Sequence, residues 1–301
     1  MGDTAIFIPP IKSQGIKTKL VPWIQTLIPH NFSGRWIEPF MGTGVVGFNL
    51  ARGSALMADT NPYVIAFYQA IADGEITGRD VRAYLIKEGD VLRVQGEAHY
   101  YAVRERFNSD HDPLDFLFLS RAGFNGMIRF NRKGDYNIPF CRKPDRFSQA
   151  YVTKITNQVN RLATILRSGD FEFKVQDYRV TLDQVVAGDF IYCDPPYAGR
   201  HTDYYGGWDE TDEAKLNEKL MHTTAPFVYS TWLSTQFRDN ELSEKYWGDL
   251  PRITQKHFYH IGGNLDNRHG VVEALIYSPD LTSQQLNVQL MSEMESIPTL
   301  F

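Results

Sequence analysis

Apolar positions come in two rhythms along this chain. Short dense blocks end abruptly at turn residues, and longer runs carry apolar residues at helical spacing. "RWIEPF" reads as a short buried strand that stops at the Gly-rich turn "MGTG". "VVGFNLAR" then has the apolar content of a packed helix, "ALMADTNP" is a strand ending in an acid, and "YVIAFYQAI" is a second helix. This is a β-turn-α-β unit of the nucleotide-binding kind. From about Asp73 the rhythm changes: "GRDVRAYLIKEGD" and "EAHYYAVRERFN" predict amphipathic helices and "PLDFLFLSRAGF" a more buried one. "NGMIRFNRKGDYNIPF" predicts a basic hairpin or loop turning at Lys133-Gly134-Asp135. "QAYVTKITNQVNRLATIL" restores a long helix, and "FEFKVQ", "DFIYCD", "APFVYST" and "VVEALIYS" are strand candidates. The pattern implies a sheet built from both ends of the chain, with residues 1–72 and 150–301 forming one domain and 73–149 inserted as a second. The tail after Asp280 is polar and carries no pattern.

Composition narrows this only a little. The 301 residues are 43% hydrophobic and 22% charged, ordinary for a globular protein. No run reaches the roughly 18 apolar residues of a membrane span, and the first residues lack the blocks of a signal peptide. The chain begins Met-Gly, but Ile6 stands where a myristoylation signal has Ser or Thr. Two cysteines, Cys141 and Cys193, give neither metal spacing nor a disulfide framework, which suits a reducing cytoplasm.

Charge changes the picture more. Between Arg121 and Arg146 stand seven basic residues and two acids, an excess of five positive charges in a chain of net charge -5, so the remainder carries -10. Binding follows where charges cluster rather than their total. Arginine and asparagine are the bidentate readers of guanine and adenine edges, and Lys/Arg neutralise phosphates. Arg121, Asn125, Arg129, Asn131, Arg132, Lys133, Arg142 and Lys143 are therefore candidate DNA contacts. The interleaved Phe124, Phe130, Tyr136 and Phe140 are expected either to pack the hairpin or to wedge into a base stack.

Two further motifs carry chemistry. In "EPFMGTG", Gly42 and Gly44 permit a tight turn that brings backbone N–H groups close to a ligand. Asp59 closes the next strand, where an acid accepts ribose hydroxyls. Gly42, Gly44 and Gly47 satisfy G-x-G-x-x-G, so spacing alone does not separate NAD from another adenosine cofactor.

In "DPPY", Pro195 and Pro196 stiffen the backbone and remove two donors. What remains is the Asp194 carboxylate and the Pro195 carbonyl as acceptors, with Tyr197 as a flat wall. An exocyclic amine such as adenine's offers two N–H donors and a π-face. Two acceptors gripping its hydrogens relocalise the nitrogen lone pair, and an aromatic ring holds a flipped base by stacking. Such help grows as positive charge builds on the nitrogen during attack on a sulfonium methyl, so it favours the transition state. Methylation at cytosine carbon-5 instead needs a Pro-Cys nucleophile, whereas Cys141 follows Phe140 and Cys193 follows Tyr192. His257 and His260 lack further metal ligands nearby, and "IKSQGIK" lacks P-loop spacing, so no metal is expected.

In order along the chain, "PPIKSQGIKTKLVPWI", "WIEPFMGTGVVGFN", "DTNPYVIAFY", "LDFLFLSRAGFNGMIRFN", "YCDPPYAGRH" and "HFYHIG" resemble the DNA adenine-N6 methyltransferases of the Dam-like (alpha) group, within it the EcoRV-like branch. The likeness runs from about Phe7 to Tyr277. It implies an α/β fold: a Rossmann-like S-adenosylmethionine-dependent methyltransferase sheet, with an inserted, mostly helical DNA-recognition domain carrying a hairpin. It places Gly15 and Lys17 near the methionine end of the cofactor, Glu38, Phe40, Gly42 and Gly44 in the cofactor loop, Asp59 at the ribose, and Asn61 among the cofactor-binding residues. In the recognition hairpin it aligns Asn125, Met127, Arg129 and Asn131 with base- and phosphate-contacting positions, and Arg142 with a further contact. Asp177 and Tyr178 would flank the cofactor's adenine, and Asp194, Pro195, Pro196 and Tyr197 would be catalytic, Asp194 also near the cofactor. One departure stands out: Dam has Trp-Ala-Gly-Gly-Lys where this chain has Ser13-Gln14-Gly15-Ile16-Lys17, a departure the EcoRV-like branch shares.

The expected activity is site-specific methylation of double-stranded DNA at a flipped adenine, in a GAT-containing site such as GATATC. The setting would be restriction protection or phage-borne modification, with a cognate restriction endonuclease as a possible partner. Two alternatives stay open at this point: cytosine-N4 methylation, which uses the same acceptor logic, and a DNA-binding regulator that keeps the fold without the activity.

Overall fold

A computed structural model describes residues 5–197, 208–235, 237–260 and 268–281. After the short helix α1 (Val21–Gln25), strands β1 (Arg35–Glu38) and β2 (Ser54–Asp59) flank helix α2 (Gly47–Leu50), and α3 (Pro62–Ala72) follows. Helices α4 (Gly78–Gln95), α5 (Glu97–Asp110) and α6 (Pro113–Ala122) lead into an irregular segment, which α7 (Gln149–Arg167) closes. Then come β3 (Asp170–Val175), α8 (Tyr178–Leu182), β4 (Phe190–Cys193), α9 (Glu210–Met221), β5 (Phe227–Thr235), α10 (Glu241–Trp247), β6 (Arg252–His260) and β7 (Arg268–Tyr277).

The strands form one seven-stranded sheet in the order β3-β2-β1-β4-β5-β7-β6. β3 through β5 are parallel, while β7 runs antiparallel to both β5 and β6. The central strands are buried because both faces are covered, as parallel sheets require: all of β4 and Trp36 to Glu38 of β1 lie inside. Successive side chains alternate between two clusters. Trp36, Met57, Phe190 and Tyr192 enter one, while Ile37, Leu56, Ile191 and Cys193 enter the other. Trp36 stacks on Phe190 with centroids 5.4 Å apart, locking β1 to β4. The order of connection reverses between β1 and β4, and a crevice opens there beyond the carboxyl ends of the strands, where open α/β sheets take ligands.

The helix expected over "VVGFNLAR" is shorter than its apolar content suggested. Gly44, with φ +72°, delays its start, and the chain turns extended at Ala51. Gly47 is required inside it: a Cβ there would lie 2.5 Å from Met57 and 2.6 Å from the Glu38 carboxylate.

The inserted segment shares the first cluster without a break. α4 opens with a capping box between Thr77 and Asp80, and Asp112 caps α6. Phe116, Leu117, Phe118 and Leu119 of α6 are all buried, so this helix is the apolar axle of the segment. Its one buried acid, Asp115, is held by Arg106 and Tyr84. The expected hairpin or loop is a bridged loop: Phe130 and Tyr136 form an antiparallel bridge, flanked by the Asn131 amide donating to Asp135 and the Asn137 amide to Arg129, and Gly123 bridges Phe140, without extending into a longer ladder. The expected turn does form. Asn131 Oδ1 accepts from the Lys133 and Asp135 amides, and Gly134 adopts φ +89°.

Candidate active site and nucleic-acid interface

Four strand ends converge on the crevice. β1 ends in Glu38, which is buried and accepts a hydrogen bond from Trp36 Nε1 at 2.9 Å. Removal from water, with the Asp194 and Asp59 charges adding to it, pushes its carboxyl up to about 8 against the opposing Trp36 and Gly47 hydrogen bonds. The Gly-rich turn follows with positive φ at Gly42 and Gly44. Gly44 tolerates no side chain, since a Cβ would sit 2.4 Å from the Phe48 ring.

Asp59, at the end of β2, ties this turn down. Its carboxylate accepts from the Gly42 amide and from the Asn61 amide, each at 2.8 Å. Burial raises its pKa, and those backbone donors oppose the shift. Asn61 caps α3 with its side-chain oxygen, accepting from Tyr63 and Val64. Beyond β3, Asp177 caps α8 and grips Arg179 through both carboxylate oxygens, at 2.7 and 2.8 Å. The Arg179 hydrogen bonds hold its carboxyl below the usual range. Phe40 stacks on Tyr178 at 5.2 Å, and the edge of Trp208 closes the trio at 5.5 Å from Phe40. Trp208 went unnoticed in the sequence. Its Nε1 donates to Glu213, a buried acid that also accepts from Tyr229 and Trp247.

At the end of β4 lies Asp194. Lys17 Nζ stands 2.7 Å from its Oδ2 and also donates to the Gly15 carbonyl at 3.2 Å. The same ammonium lies 5.1 Å from the centroid of Tyr197, whose hydroxyl makes a long 3.5 Å contact with Asp194 Oδ1. Burial works against the Lys17 charge, but Asp194 and Tyr197 outweigh it and hold its pKa well above the ordinary value. Burial pushes the Asp194 carboxyl up, with Lys17 opposing, and pushes Tyr197 up to about 12. The pairing of Lys17 with Asp194 was invisible in the sequence, as was Glu273 of β7. Glu273 is a buried acid whose charge acts on both Asp194 and Tyr197. Its only signal was an acid inside the apolar run "VVEALIY". Residues 198–201 of the "YCDPPYAGRH" motif, and the side chains of His257 and His260, lie outside the described ones.

The basic segment divides in two. Asn125 (φ +53°), Arg132, Lys133, Arg142 and Lys143 are exposed. Met127 and Arg129 are half-buried, and Arg129 Nε donates to Asn137. Asn131 is exposed but serves its own turn. Arg121 is a correction. It is buried and donates to the carbonyls of Pro9 and Pro10, to Gln158 at 2.8 Å and to the Tyr151 hydroxyl. Its charge braces the N-terminal segment against α6 and α7 rather than standing exposed. Of the four interleaved aromatics, Tyr136 and Phe140 are buried and Phe130 stacks on Tyr63 at 5.0 Å. Phe124 is 49% exposed, on a tight turn whose Gly126 packs against the Lys12 stem. Among the described residues no group of three or more His, Cys, Asp or Glu is placed to hold a metal, and no helix is long and apolar enough to cross a membrane.

Comparison with known proteins agrees with this geometry. A family model described as "D12 class N6 adenine-specific DNA methyltransferase" matches residues 13–261. The chain is 30% identical over 224 residues to the retron Ec67 DNA adenine methylase of Escherichia coli, covering 71% of this chain and 73% of that one. It is 29% identical over 287 residues to the DNA adenine methylase of Vibrio cholerae, covering 91% and 97%. It is also 29% identical over 253 residues to the type II methyltransferase M.FokI of Planomicrobium okeanokoites, covering 79% of this chain and 38% of the other.

Proposed function

Because the chain belongs to the D12 class of N6 adenine-specific DNA methyltransferases, we propose that it methylates one double-stranded DNA site at an adenine flipped from the helix, with S-adenosylmethionine as methyl donor. The observation that carries this reading is Asp194 at the mouth of β4, clamped by Lys17 beside Tyr197.

Lys17 occupies Oδ2 of Asp194, while among the described residues Oδ1 is met by the long Tyr197 contact. Oδ1 and the Pro195 carbonyl then accept the two N–H groups of the adenine amine, and the Tyr197 ring stacks on the base. Gripped this way, the amine directs its lone pair at the incoming methyl. Lys17 keeps the carboxylate ionised as positive charge develops on the amine nitrogen. The N–C bond forms as the S–C bond breaks, and the amine proton leaves to water.

The crevice residues fit the donor. Gly42 and Gly44 leave backbone bare at the switch point, and a Cβ on Gly42 would point into open space. The acids Glu38 and Asp59 stand beside that turn, with the Phe40–Tyr178 pair at its flank. S-adenosylmethionine supplies an electrophilic methyl on a sulfonium. Glu38 and Gly15 with Lys17 border its methionine end, Asp59 and Asn61 the ribose side, and Asp177 with Tyr178 the adenine.

Segment 73–149 is the target-recognition domain in this reading, with Asn125, Met127, Arg129, Asn131, Arg132, Lys133, Arg142 and Lys143 facing DNA. Phe124 is the exposed aromatic positioned to fill the gap that a flipped base leaves. The resemblance to the EcoRV-like branch supports a GAT-containing site such as GATATC, in a restriction-modification or phage setting with a cognate endonuclease. Mapping modified bases in plasmid DNA from expressing cells tests this. N6-methyladenine confined to one motif is expected, and its absence, or modified cytosine in its place, would overturn the reading.

A further inference from the structure

α7 stands out in an acidic chain. Its 19 residues contain no Asp or Glu, yet carry Lys154, Arg161 and Arg167. Its exposed side borders an open cleft of about 460 Å³ lined by Ala150, Thr153, Lys154, Asn157, Gln158 and Arg161. Among the described residues no carboxylate lines this cleft. Arg82 of α4 reaches its edge, donating to Thr153 Oγ1 at 3.3 Å.

The cleft is continuous with the basic segment. At its N-terminal end, Tyr151 receives both Arg121 and Arg146, the latter at 2.9 Å. Lys12 lies in the same field, its pKa lowered by burial and by the Arg146 and Arg121 charges. The N-terminal segment then runs along the helix: Pro9 and Pro10 meet Arg121 beside Gln158, and Ala5 accepts from Arg161. A positive track therefore leads from the recognition segment past Lys154 to Arg161. Its donors are ammonium, guanidinium, amide and hydroxyl groups, the types that contact phosphate oxygens without reading sequence.

We propose that the exposed face of α7 binds the phosphate backbone of duplex DNA flanking the methylated site. This rests on the DNA-methylating reading above and extends the interface beyond the recognition segment. Lys154 and Arg161 are the anchoring contacts, and Asn157 and Thr153 assist.

The test compares two duplexes carrying the mapped site, one of about 12 and one of about 30 base pairs, with the full-length protein and cofactor present. Dissociation constants are measured across a salt series, and methyl transfer is followed on the same duplexes. The wild type is expected to bind the longer duplex roughly tenfold more tightly at low salt. Lys154→Gln and Arg161→Gln are each expected to reduce the steepness of the log–log salt dependence on the long duplex by about one. Both should bind the short duplex as the wild type does. Arg161 also holds the N-terminal segment through the Ala5 carbonyl, so Lys154→Gln, at an exposed lysine, is the deciding variant. An unchanged slope and an unchanged length gain in Lys154→Gln would overturn the proposal, as would equal weakening on both duplexes. The outcomes separate from those of the functional reading. Methylation by the wild type with an unaltered slope in the variant sinks the α7 track alone. Absence of methylation on both duplexes sinks the functional reading, and the length and slope data still decide the track.

Discussion

Lys17 Nζ stands 2.7 Å from Asp194 Oδ2, which joins the N-terminal segment to the end of the fourth strand across more than half of the sequence. Burial raises the Asp194 carboxyl and Lys17 opposes that rise. Substituting Lys17→Met should therefore move the Asp194 pKa further up. The carboxylate must be ionised to accept from the amine, so the acid limb of the kcat profile should shift to higher pH. At neutral pH, kcat should fall about a hundredfold. Lys17→Arg should restore much of the profile. An acid limb that stays in place in Lys17→Met would separate Lys17 from the ionisation of Asp194.

Glu38 gives a stability signature. Its carboxyl is pushed up to about 8 in the fold, above the ordinary value near 4.3 of an unfolded chain. The folded state thus holds a proton that the unfolded state releases, and this contribution to stability is lost as pH rises from about 4.5 through about 8. The full loss is at most about 5 kcal/mol. Glu38→Gln should flatten the fall in denaturation midpoint over that range. A parallel decline in both proteins would show that Glu38 is ionised in the fold.

Arg121 and Arg129 should behave differently although both lie in the basic segment. Arg121→Ala leaves two carbonyls and Gln158 without their buried donor, at a cost of about 3 kcal/mol or more. Its main effect should be a lower melting temperature with site choice retained. Arg129→Ala should weaken or relax site choice while cofactor affinity stays close to that of the wild type. Bisulfite-free modified-base mapping alongside thermal denaturation distinguishes the two, and interchanged phenotypes would contradict the assignment.

Phe124→Ala should lower methyl transfer on a fully paired duplex about tenfold or more, since filling the vacated stack offsets a few kcal/mol of unstacking. A mismatch at the target adenine makes flipping easier, so it should recover most of the loss. Equal losses on paired and mismatched duplexes would assign Phe124 a purely structural part.

How much of this was legible follows from where the information lies. The β1 turn, the acid closing β2 and the DPPY end of β4 announce themselves locally, because buried strands must be apolar and a tight turn needs glycine. Strand β6, "RITQKHFYH", escaped notice because a sheet-edge strand keeps its polar residues. The helix after the Gly-rich turn was overextended because apolar content does not reveal that Gly44 and Gly47 are there for contact with Phe48, Met57 and Glu38. Arg121 reads as one more positive charge, and only packing against Pro9, Pro10 and Gln158 makes it a brace. Lys17–Asp194, the meeting of Glu213 with Tyr229 and Trp247, and the influence of Glu273 depend on partners far apart in the sequence, which no local pattern encodes.

Single-turnover methyl transfer by Asp194→Ala, measured with saturating S-adenosylmethionine and a duplex bearing the mapped site, tests the central claim most directly. The rate should fall by at least about a thousandfold, while DNA affinity remains within a few fold of the wild type. Transfer at a near wild-type rate, or loss of DNA binding in equal measure, would contradict the role of Asp194 as the acceptor that prepares the amine.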